Sequence, residues 1–341
     1  MQPIKRFAIL GTGFWARYQL AGWRELAGAE CVALYNRTLS KAQALANEFG
    51  ITRVYDDVDA LFANEKLDFV DIITNVETHS PLVQLAAAQH VAIICQKPMA
   101  PSLEKAQRMA AACLSAGVPL YIHENWRWQS PIRELKRQLD LAEIGRAFRA
   151  RLHYCSSFPV FENQPFLKDL EQYILADMGT HLFDVVRYLF GEVDSLACQT
   201  TRVHPDIRGE DAATVLLRMT NGMTVVCEIS EASRTEFERF PQTFIHIEGS
   251  LGSLELAPDY WLRQTTAAGT LARRVPPHHY AWADPAYDVV HTSIVACNAN
   301  LLSALQGAGQ AETSAADNLR TLRLVYAAYD AARLNQIVSL V

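Results

Sequence analysis

Apolar runs of strand length alternate with amphipathic segments over residues 1–125. Five of these runs are almost continuously apolar, a pattern typical of strands buried on both faces of a sheet. They read RFAIL, CVALY, DFVDIIT, VAIIC and VPLYI. The spacing between them predicts helices over 14–27, 40–49, 79–89 and 102–116. Alternating strands and helices of this kind predict a parallel sheet with right-handed crossovers.

The pattern changes after residue 145. Four strand-like runs follow, RAFRARLHY, ATVLLRM, MTVVCEIS and TFIHIEG, and Asn221-Gly222 between the second and third predicts a tight hairpin. Residues 269–285 have the composition of a loop, and an amphipathic helix with a Thr or Ser N-cap is predicted over 313–334. The chain therefore divides into a first domain, 1–125, and a second domain, 126–341, whose closing helix can pack back on the first.

Length and composition are those of an ordinary soluble globular protein. The 341 residues suggest about two domains. A net charge of −6 without a basic run argues against a nucleic-acid partner. No apolar stretch approaches the ~20 residues of a membrane span, and Phe7–Leu10 is too short for a secretory signal. Seven scattered cysteines without a CxxC pair argue against disulfides or a zinc site and favour a cytoplasmic location.

A glycine-rich turn directly follows the first predicted strand. Gly11, Gly13 and Ala16 form G-x-G-x-x-A between a strand and a helix, the context that separates this motif from a chance match. Gly11 permits a tight turn, Gly13 lets the backbone approach a pyrophosphate at the helix N-terminus, and Ala16 lets the helix pack against the strand. The sequence therefore predicts an α/β protein: an N-terminal Rossmann dinucleotide-binding domain, then an α+β domain with a large, mainly antiparallel, open-faced sheet.

The end of the second strand bears on the choice between NAD and NADP. An acidic residue at this place binds the adenosine ribose and repels a 2′-phosphate, but here the strand ends in Asn36-Arg37. Asn36 can bond a ribose hydroxyl without repelling a phosphate, whereas Arg37 can stack on adenine or bind a 2′-phosphate. Considered alone, these two residues favour NADP slightly.

Polar residues follow three of the predicted parallel strands, at Thr74-Asn75, Gln96-Lys97 and His123-Glu124-Asn125. Ligands of open α/β sheets bind at the carboxyl ends of the strands. Lys97 is therefore predicted to point at the place of a nicotinamide ring. Pro98 favours an extended backbone at Lys97, so this lysine is a candidate for chemistry.

A second candidate cluster lies on the predicted helix over 175–191. Asp177, His181, Asp184 and Tyr188 recur at i, i+4, i+7 and i+11 and form one polar stripe. The spacing of Asp177 and His181 lets the carboxylate orient the imidazole or stabilise its charge.

Together these motifs resemble the Gfo/Idh/MocA family of oxidoreductases. The likeness covers nearly the whole chain and includes the glycine loop, ETHSPLVQLAAAQHV, QKP, DMGTHLFDVVRYLFG and the closing helix. The family signatures usually read Glu-Lys-Pro and Asp-x-Gly-x-His-x-x-Asp. The residues that match them are Lys97, Pro98, Asp177, Gly179, His181 and Asp184, and the departure is Gln96.

The resemblance implies an NAD(P)-dependent oxidoreductase that acts on sugar CH–OH groups. GFWARYQLAGWREL, HENWRWQSPI and FPVFENQPFLKDLEQYIL are similar to the group that oxidises D-apiose, a branched aldose, at its anomeric carbon with NAD. This likeness moves the cofactor prediction to NAD, with NADP as the alternative. The residues expected to bind the cofactor are Gly11, Gly13, Phe14, Trp15, Asn36, Arg37, Asn75, His79, Gln96 and Lys97. Those expected to bind the sugar are Lys97, Asn125, Trp126, Arg127, Asn163, Gln164, Asp177 and His181.

The resemblance also implies that Lys97 and His181 lie beside the reacting hydroxyl. Our hypothesis is that His181 takes the proton, Lys97 hydrogen-bonds the developing alkoxide, and Asp177 holds His181 and the substrate. The roles of Lys97 and His181 can be exchanged, since a desolvated lysine near another cation can act as a base. Gln96 is expected to face the cofactor ribose or Lys97.

Two other functions remain open for this fold. One is a redox-neutral, NAD-retaining glycosidase or keto-sugar enzyme. The other is a non-catalytic nucleotide sensor, against which the retention of Lys97, Asp177 and His181 argues. No metal site is predicted, because the adjacent His278 and His279 point apart on an extended chain. The resemblance implies a homodimer or homotetramer through the open sheet face, which is expected to be apolar.

Overall fold

The computed structural model describes residues 3–236 and 238–340, with every side chain in those ranges except that of Asn163. The chain forms two compact units. The first comprises the residues up to Asn125 together with Ala281–Ala283 and His291–Leu322, and the second comprises Trp126–Tyr280, Asp284–Val290 and the residues from Arg323 onward. The sequence pattern assigns residues 281–283 and 291–322 to the second domain, whereas in the structure they pack with the first unit.

The first unit is built on a six-stranded parallel sheet. Its strands are β1 (Lys5–Leu10), β2 (Ala29–Tyr35), β3 (Arg53–Tyr55), β4 (Phe69–Ile72), β5 (Ala92–Gln96) and β6 (Leu120–His123). Its first helices are α1 (Phe14–Arg24), α2 (Leu39–Phe49), α3 (Val58–Asn64), α4 (His79–Ala88) and α5 (Leu103–Ser115). Residues 7–10 and 69–72 are 0 % exposed, which explains their continuous apolar character. The one charged residue among them is Asp71.

The strand order of this sheet, β3-β2-β1-β4-β5-β6, locates its ligand-binding edge. The chain winds outward from β1 to β3 and then crosses to the other side of β1 to form β4. Open α/β sheets bind ligands beyond the carboxyl ends of the strands at such a reversal. Gly11 follows β1, Thr74 follows β4 shortly after its end, and Lys97 follows β5. The predicted Rossmann architecture is confirmed.

The second unit contains a nine-stranded sheet, ordered β14-β13-β12-β11-β7-β10-β9-β8-β15. Only β7 and β10 pair in parallel, so the predicted mainly antiparallel sheet is confirmed. The strands are β7 (Ala147–Cys155), β8 (Val193–Thr201), β9 (Ala212–Met219), β10 (Thr224–Ser230), β11 (Phe244–Gly249), β12 (Gly252–Ala257), β13 (Trp261–Thr266), β14 (Gly269–Arg274) and β15 (Val338–Ser339). The helices between them are α6 (Ser130–Asp140), α7 (Val160–Asn163) and α8 (Thr180–Phe190).

The predicted hairpin in the second unit is confirmed, and the predicted loop over 269–285 is wrong in part. Gly222, with φ +85°, closes the predicted hairpin between β9 and β10. Strand β14, by contrast, lies in the segment predicted as a loop. Every residue of β14 is exposed, so it has no buried apolar face that the sequence pattern could reveal.

The solvent-facing side of the second sheet carries cross-strand ion pairs. Arg149 pairs with Glu248, Arg151 with Glu228 and Arg263 with Glu255. Exposed apolar side chains stand among them, with Leu216 49 % and Trp261 37 % exposed. The predicted apolar face is therefore corrected to a mixed one. The alternating pattern reveals which side chains face outward but not how many of the charged ones meet across strands.

Two long helices complete the structure, α9 (Asp288–Leu305) and α10 (Ala315–Leu334). The predicted closing helix is confirmed, and its N-cap is Ser314, whose Oγ accepts the Asp317 N–H at 3.2 Å. All seven cysteines are free thiols, five of them buried. Within residues 3–236 and 238–340, no helix combines the length and apolar character that crossing a membrane requires.

Candidate active site

Glycine is needed at the two positions of the loop after β1 for different structural reasons. Gly11 has φ +104°, and a Cβ there would lie 2.5 Å from the Ile73 carbonyl oxygen. Any side chain at this position would therefore collide with the backbone that follows β4. Gly13 has an ordinary φ of −77°, and a Cβ there would meet nothing within 4 Å. Gly13 leaves open space at the N-terminus of α1, as pyrophosphate binding requires.

Other side chains along this edge also fit a dinucleotide. The Oγ1 of Thr74 is buried and has no hydrogen-bond partner among the described residues, and a buried hydroxyl of this kind usually acquires one. Asn75 beside it is exposed, Phe14 is 65 % exposed and Trp15 is half-buried. These observations are compatible with the predicted cofactor contacts of Asn75, Phe14 and Trp15.

The adenosine end of the predicted cofactor site is organised by Asn36. Its Nδ2 donates to Thr12 Oγ1 at 2.6 Å, and its Oδ1 accepts the Thr38 N–H at 3.3 Å. Arg37 is exposed beside it. Asn36 is thus held in one orientation by the glycine loop, and the side chain that follows β2 is an amide rather than a carboxylate.

The corner after β5 is held by the imidazole of His79. Its Nδ1 lies 3.1 Å from the Pro98 carbonyl oxygen and its Nε2 lies 3.0 Å from that of Thr74. The ring is 1 % exposed, and burial lowers the pKa of His79. His79 thus has a positioning role, and its predicted contact with the cofactor stays a prediction. It ties the backbone beside Lys97, a half-buried residue, to the end of β4.

The side chain of Gln96 is hydrogen-bonded within the first unit. Its Nε2 lies 2.5 Å from Gln19 Oε1 and 3.2 Å from His123 Nδ1. Its Oε1 accepts the backbone N–H of Lys97 at 3.1 Å. Of the two predicted orientations, the one toward Lys97 is found, although the contact is with the lysine backbone. The predicted cofactor contact of the Gln96 side chain stays a prediction.

The second unit presents His181 on α8, packed against Trp126. The two rings are stacked with centroids 4.3 Å apart, and Trp126 Nε1 donates to Thr243 Oγ1 at 2.9 Å. Asp177 lies in a single π-helical turn, Leu175–Gly179, that precedes α8. The predicted uninterrupted helix over 175–191 is therefore corrected. The π turn changes the spacing of Asp177 relative to the residues of α8, and such turns occur frequently at functional sites.

Arg127 and Asp184, also in the second unit, form a buried ion pair. Arg127 Nε and Nη2 lie 2.7 and 2.5 Å from the two Asp184 carboxylate oxygens. The Arg127 guanidinium is thus bound to Asp184 of α8, and this contact supports the turn that carries Trp126. Arg127 therefore has a positioning role, and the direct sugar contact that the sequence predicted for it stays a prediction.

The other amino-acid residues predicted to bind the sugar differ in burial and in their hydrogen-bond partners. Asn125 is buried in the first unit and donates from Nδ2 to Ser293 Oγ at 2.8 Å. Gln164 is half-buried at the end of α7, and the side chain of Asn163 lies outside the described part of the chain. Sequence reasoning missed Tyr154, whose buried hydroxyl has no partner among the described residues. The alternation along β7, with Ala150, Leu152 and Tyr154 facing inward, could have indicated it.

Comparisons with known proteins agree with these features. Residues 5–124 match the model described as an oxidoreductase family with an NAD-binding Rossmann fold, and residues 132–255 match the GFO/IDH/MocA C-terminal domain. A D-apiose dehydrogenase of Paraburkholderia graminis is 43 % identical over 99 % of this chain and 90 % of its own length. One of Rhizobium rhizogenes is 39 % identical over 98 % of this chain and 96 % of its own.

The chain belongs to the Gfo/Idh/MocA oxidoreductase family.

A solved structure of another member is nearly superimposable. An oxidoreductase from Agrobacterium radiobacter, in complex with NAD+, L-tartaric acid and magnesium, gives a TM-score of 0.96 at 39 % identity, over 98 % of both chains. The first unit of the present Gfo/Idh/MocA protein is accordingly an NAD-binding Rossmann domain. Lys97 belongs to this unit, whereas Asp177 and His181 belong to the second. Within the described residues, no group of three or more His, Cys, Asp or Glu side chains is arranged to hold a metal ion.

Proposed function

We propose that this protein is an NAD-dependent sugar dehydrogenase that oxidises D-apiose, or a related short or branched aldose, at the anomeric carbon. The product is a lactone, which opens to the aldonate. The observation that carries the proposal is the identity of 43 % and 39 %, over nearly the whole chain, with two D-apiose dehydrogenases. The retention of Lys97, Asp177 and His181 supports catalysis in place of a sensory role.

The residues proposed to hold the cofactor are those with space or unused bonds at the sheet edge. Gly13 leaves room for a pyrophosphate at the N-terminus of α1. Asn36 offers its amide to the adenosine ribose, and Thr74 offers a buried hydroxyl without a partner among the described residues. When bound, NAD supplies the acceptor for the hydride that leaves the anomeric carbon.

The proton chemistry is assigned to the side chains of this chain. His181 Nδ1 or Nε2 takes the proton of the anomeric hydroxyl, and Lys97 Nζ hydrogen-bonds the oxygen as negative charge develops on it. Asp177 stabilises the imidazolium that results. The opposite assignment, with Lys97 as the base, uses the same residues and is distinguished by the pH dependence of variants at each position.

The sugar pocket is proposed to include Trp126, Asn125, Asn163 and Gln164. An indole face suits the C–H surface of a sugar ring, and amide side chains suit hydroxyl groups. Trp126 is 4 % exposed and stacks on His181, so it would act by fixing the imidazole plane as well.

A dimer or tetramer formed through the second sheet, located in the cytoplasm, completes the proposal. Leu216 and Trp261 supply apolar contact area on the solvent-facing side of the sheet. The three ion pairs of that side could exchange partners across an interface. A monomeric elution profile at micromolar concentration would contradict this part of the proposal alone.

The decisive experiment is a panel of aldoses assayed with NAD and with NADP by the nicotinamide absorbance. D-apiose, D-xylose, L-threose and D-glucose separate branched, short and ordinary substrates. We expect net reduction of NAD with D-apiose at the highest kcat/KM. Turnover without net reduction of NAD would identify a redox-neutral enzyme instead, and binding of NAD without turnover of any sugar would identify a sensor.

A further inference from the structure

A chain of buried amides links the carboxylate of Asp71 to the backbone of Lys97. Asp71, on β4, is 0 % exposed and accepts Gln19 Nε2 at 2.8 Å on both oxygens and Trp23 Nε1 at 2.7 Å. Gln19, 0 % exposed on α1, in turn accepts Gln96 Nε2 on its Oε1 at 2.5 Å. Gln96 Oε1 then accepts the Lys97 N–H at 3.1 Å. All of these residues belong to the first unit.

The polarity of this chain is determined at Asp71. An ionised carboxylate only accepts hydrogen bonds, so the nitrogen of the Gln19 amide must face it. Gln19 Oε1 must then face Gln96, which fixes the Gln96 nitrogen toward Gln19 and its oxygen toward Lys97. The second Gln96 proton goes to His123 Nδ1 at 3.2 Å, so the His123 proton is on Nε2 and faces Asn298 Oδ1 at 3.0 Å.

A glutamate at position 96 does not fit this arrangement. It would present a carboxylate to the acceptor Gln19 Oε1, and His123 could donate to it only by moving its proton from Nε2 to Nδ1. Gln19 cannot turn over to donate, because Asp71 holds its nitrogen. Two carboxylates would then be separated by one amide in a buried environment, which is strongly unfavourable.

We propose that Asp71 is a positioning residue of the active site, which through Gln19 and Gln96 fixes the peptide of Lys97. This inference rests on the proposed catalytic role of Lys97. The carboxylate of the usual Glu-Lys-Pro signature, which Gln96 lacks, would here be supplied from β4, and Gln96 would transmit its effect.

Combining Asp71→Asn with Gln96→Glu can reverse the direction of the hydrogen bonds along the whole network. In that double variant Gln19 can turn over, donate to the new carboxylate at position 96 and accept from the new amide at position 71. His123 can move its proton to Nδ1, and Asn298 can turn its Nδ2 toward His123. This last step is available because Asn298 Nδ2 is buried without a partner among the described residues. The polar groups at positions 19, 71, 96 and 123 keep the partners named above, and one carboxylate remains.

This reversal provides a test, because the effect of Asp71→Asn on kcat should change sign between the two backgrounds. We expect Gln96→Glu to lower kcat at saturating NAD and sugar at least about tenfold, since it brings a second buried charge against the Gln19 amide oxygen. Asp71→Asn alone should lower kcat only a few-fold, because Gln19 and Gln96 lose their fixed orientation. In the Gln96→Glu background the same Asp71→Asn substitution should raise kcat. Gln84→Glu, at an exposed glutamine of α4, is the matched control and should leave kcat unchanged.

A second readout does not depend on turnover. Selective ¹⁵N-lysine labelling reports the exchange rate of the Lys97 amide proton, measured in the complete protein near pH 8, where Asp71 is ionised. We expect faster exchange in both single variants and a return toward the wild-type rate in the double variant. If wild-type protein oxidises no aldose, the proposed function fails while the exchange data still decide the network.

Absence of rescue would overturn the inference. A folded double variant that is no faster than Gln96→Glu, with no recovery of Lys97 amide protection, would show that Asp71 does not act on Lys97. If the double variant does not fold, Gln19→Met supplies the equivalent test by removing the link. Asp71→Asn should then leave the Lys97 exchange rate unchanged in the Gln19→Met background, and an undiminished effect there would refute transmission through Gln19.

Discussion

Arg127 and Asp184 form a buried bidentate ion pair between the turn that follows Asn125 and helix α8. Their side chains are 6 % and 0 % exposed. Because Trp126 directly precedes Arg127 and stacks on His181, this pair fixes the indole relative to the imidazole. The ion pair thus supports the indole on which the proposed base stacks.

Loss of one partner of this pair should be costly. We expect Arg127→Met to lower the free energy of unfolding by about 3–5 kcal/mol, because it removes the bidentate guanidinium partner of the buried Asp184 carboxylate. Urea denaturation measures the change. Arg127→Met combined with Asp184→Leu should recover much of the loss. Arg149→Met, which removes an ion pair on the exposed sheet face, is the control and should change stability little.

Substitution by alanine should affect stability at one glycine of the loop after β1 and NAD binding at the other. Gly11→Ala forces a side chain against the Ile73 carbonyl at a positive φ, so we expect a loss of stability of roughly 1–3 kcal/mol or more. Gly13→Ala should leave the melting temperature nearly unchanged and weaken NAD binding about tenfold or more, since its methyl group enters the space proposed for the pyrophosphate. Thermal melting and NAD titration separate the two effects. Equal NAD affinity in Gly13→Ala and wild type would place the pyrophosphate elsewhere.

Lys97 and His181 should contribute much more to chemistry than to cofactor binding, although Lys97 is also predicted to contact the cofactor. Lys97→Met and His181→Asn are each expected to lower kcat by about 10²–10⁴, the usual worth of a positioned acid or base. NAD affinity, read by fluorescence titration, should remain within a few-fold of wild type. Lys105→Met changes a surface lysine paired with Glu77 and serves as the control. Normal turnover by Lys97→Met would remove Lys97 from the mechanism.

Asn36 should influence cofactor preference through charge. Asn36→Asp places a carboxylate at the end of β2, where it repels a 2′-phosphate and still binds a ribose. We expect the ratio of kcat/KM for NAD over NADP to rise about tenfold or more. Arg37→Gln should shift the ratio in the same direction by removing a phosphate partner. An unchanged ratio in both variants would show that the 2′ position of the cofactor lies away from these residues.

Asp71 should impose a pH dependence on stability. Burial raises the pKa of its carboxyl from the ordinary 3.8 to about 7. Below about pH 4 both the folded and unfolded states keep the proton, and the group contributes nothing. Between about pH 4 and 7 only the unfolded state ionises, so the free energy of unfolding falls as pH rises, by up to about 1.4 kcal/mol per pH unit. Above about pH 7 this loss is complete and constant.

Urea midpoints of wild type and Asp71→Asn across this pH range test the effect. The variant should lack the decline that Asp71 causes, whatever its absolute stability. Glu210→Gln offers a comparison in the second unit, since burial also raises the pKa of Glu210. Parallel pH profiles for wild type and Asp71→Asn would mean that the carboxyl titrates near its ordinary value.

The sequence predicted those parts of the structure that depend on local pattern. The strands β1, β2, β4, β5 and β6 are apolar runs, and the closing helix begins at a serine cap. Strand β14 was missed because its residues are all exposed, and the π turn at Asp177 was missed because helical spacing does not reveal an added residue.

The internal contacts of the candidate site could not be predicted in the same way. His123 and Asn298 are separated by 175 positions, and Gln19 and Gln96 by 77. Nothing in the neighbouring residues indicates that these side chains meet. Motif positions therefore identified Lys97 and His181 as candidates, whereas the residues that hold them in place became visible only in three dimensions.

The amide network from Asp71 to Lys97 also bears on how such a site can change during evolution. A change of Gln96 to glutamate is unfavourable while Asp71 keeps its charge, whereas the loss of charge at position 71 is comparatively mild. Of the two orders in which both residues can be replaced, one passes through a functional intermediate and the other through a severely impaired one. The ancestry of the Gln-Lys-Pro corner would thus be constrained by a residue on a different strand, 25 positions earlier in the chain.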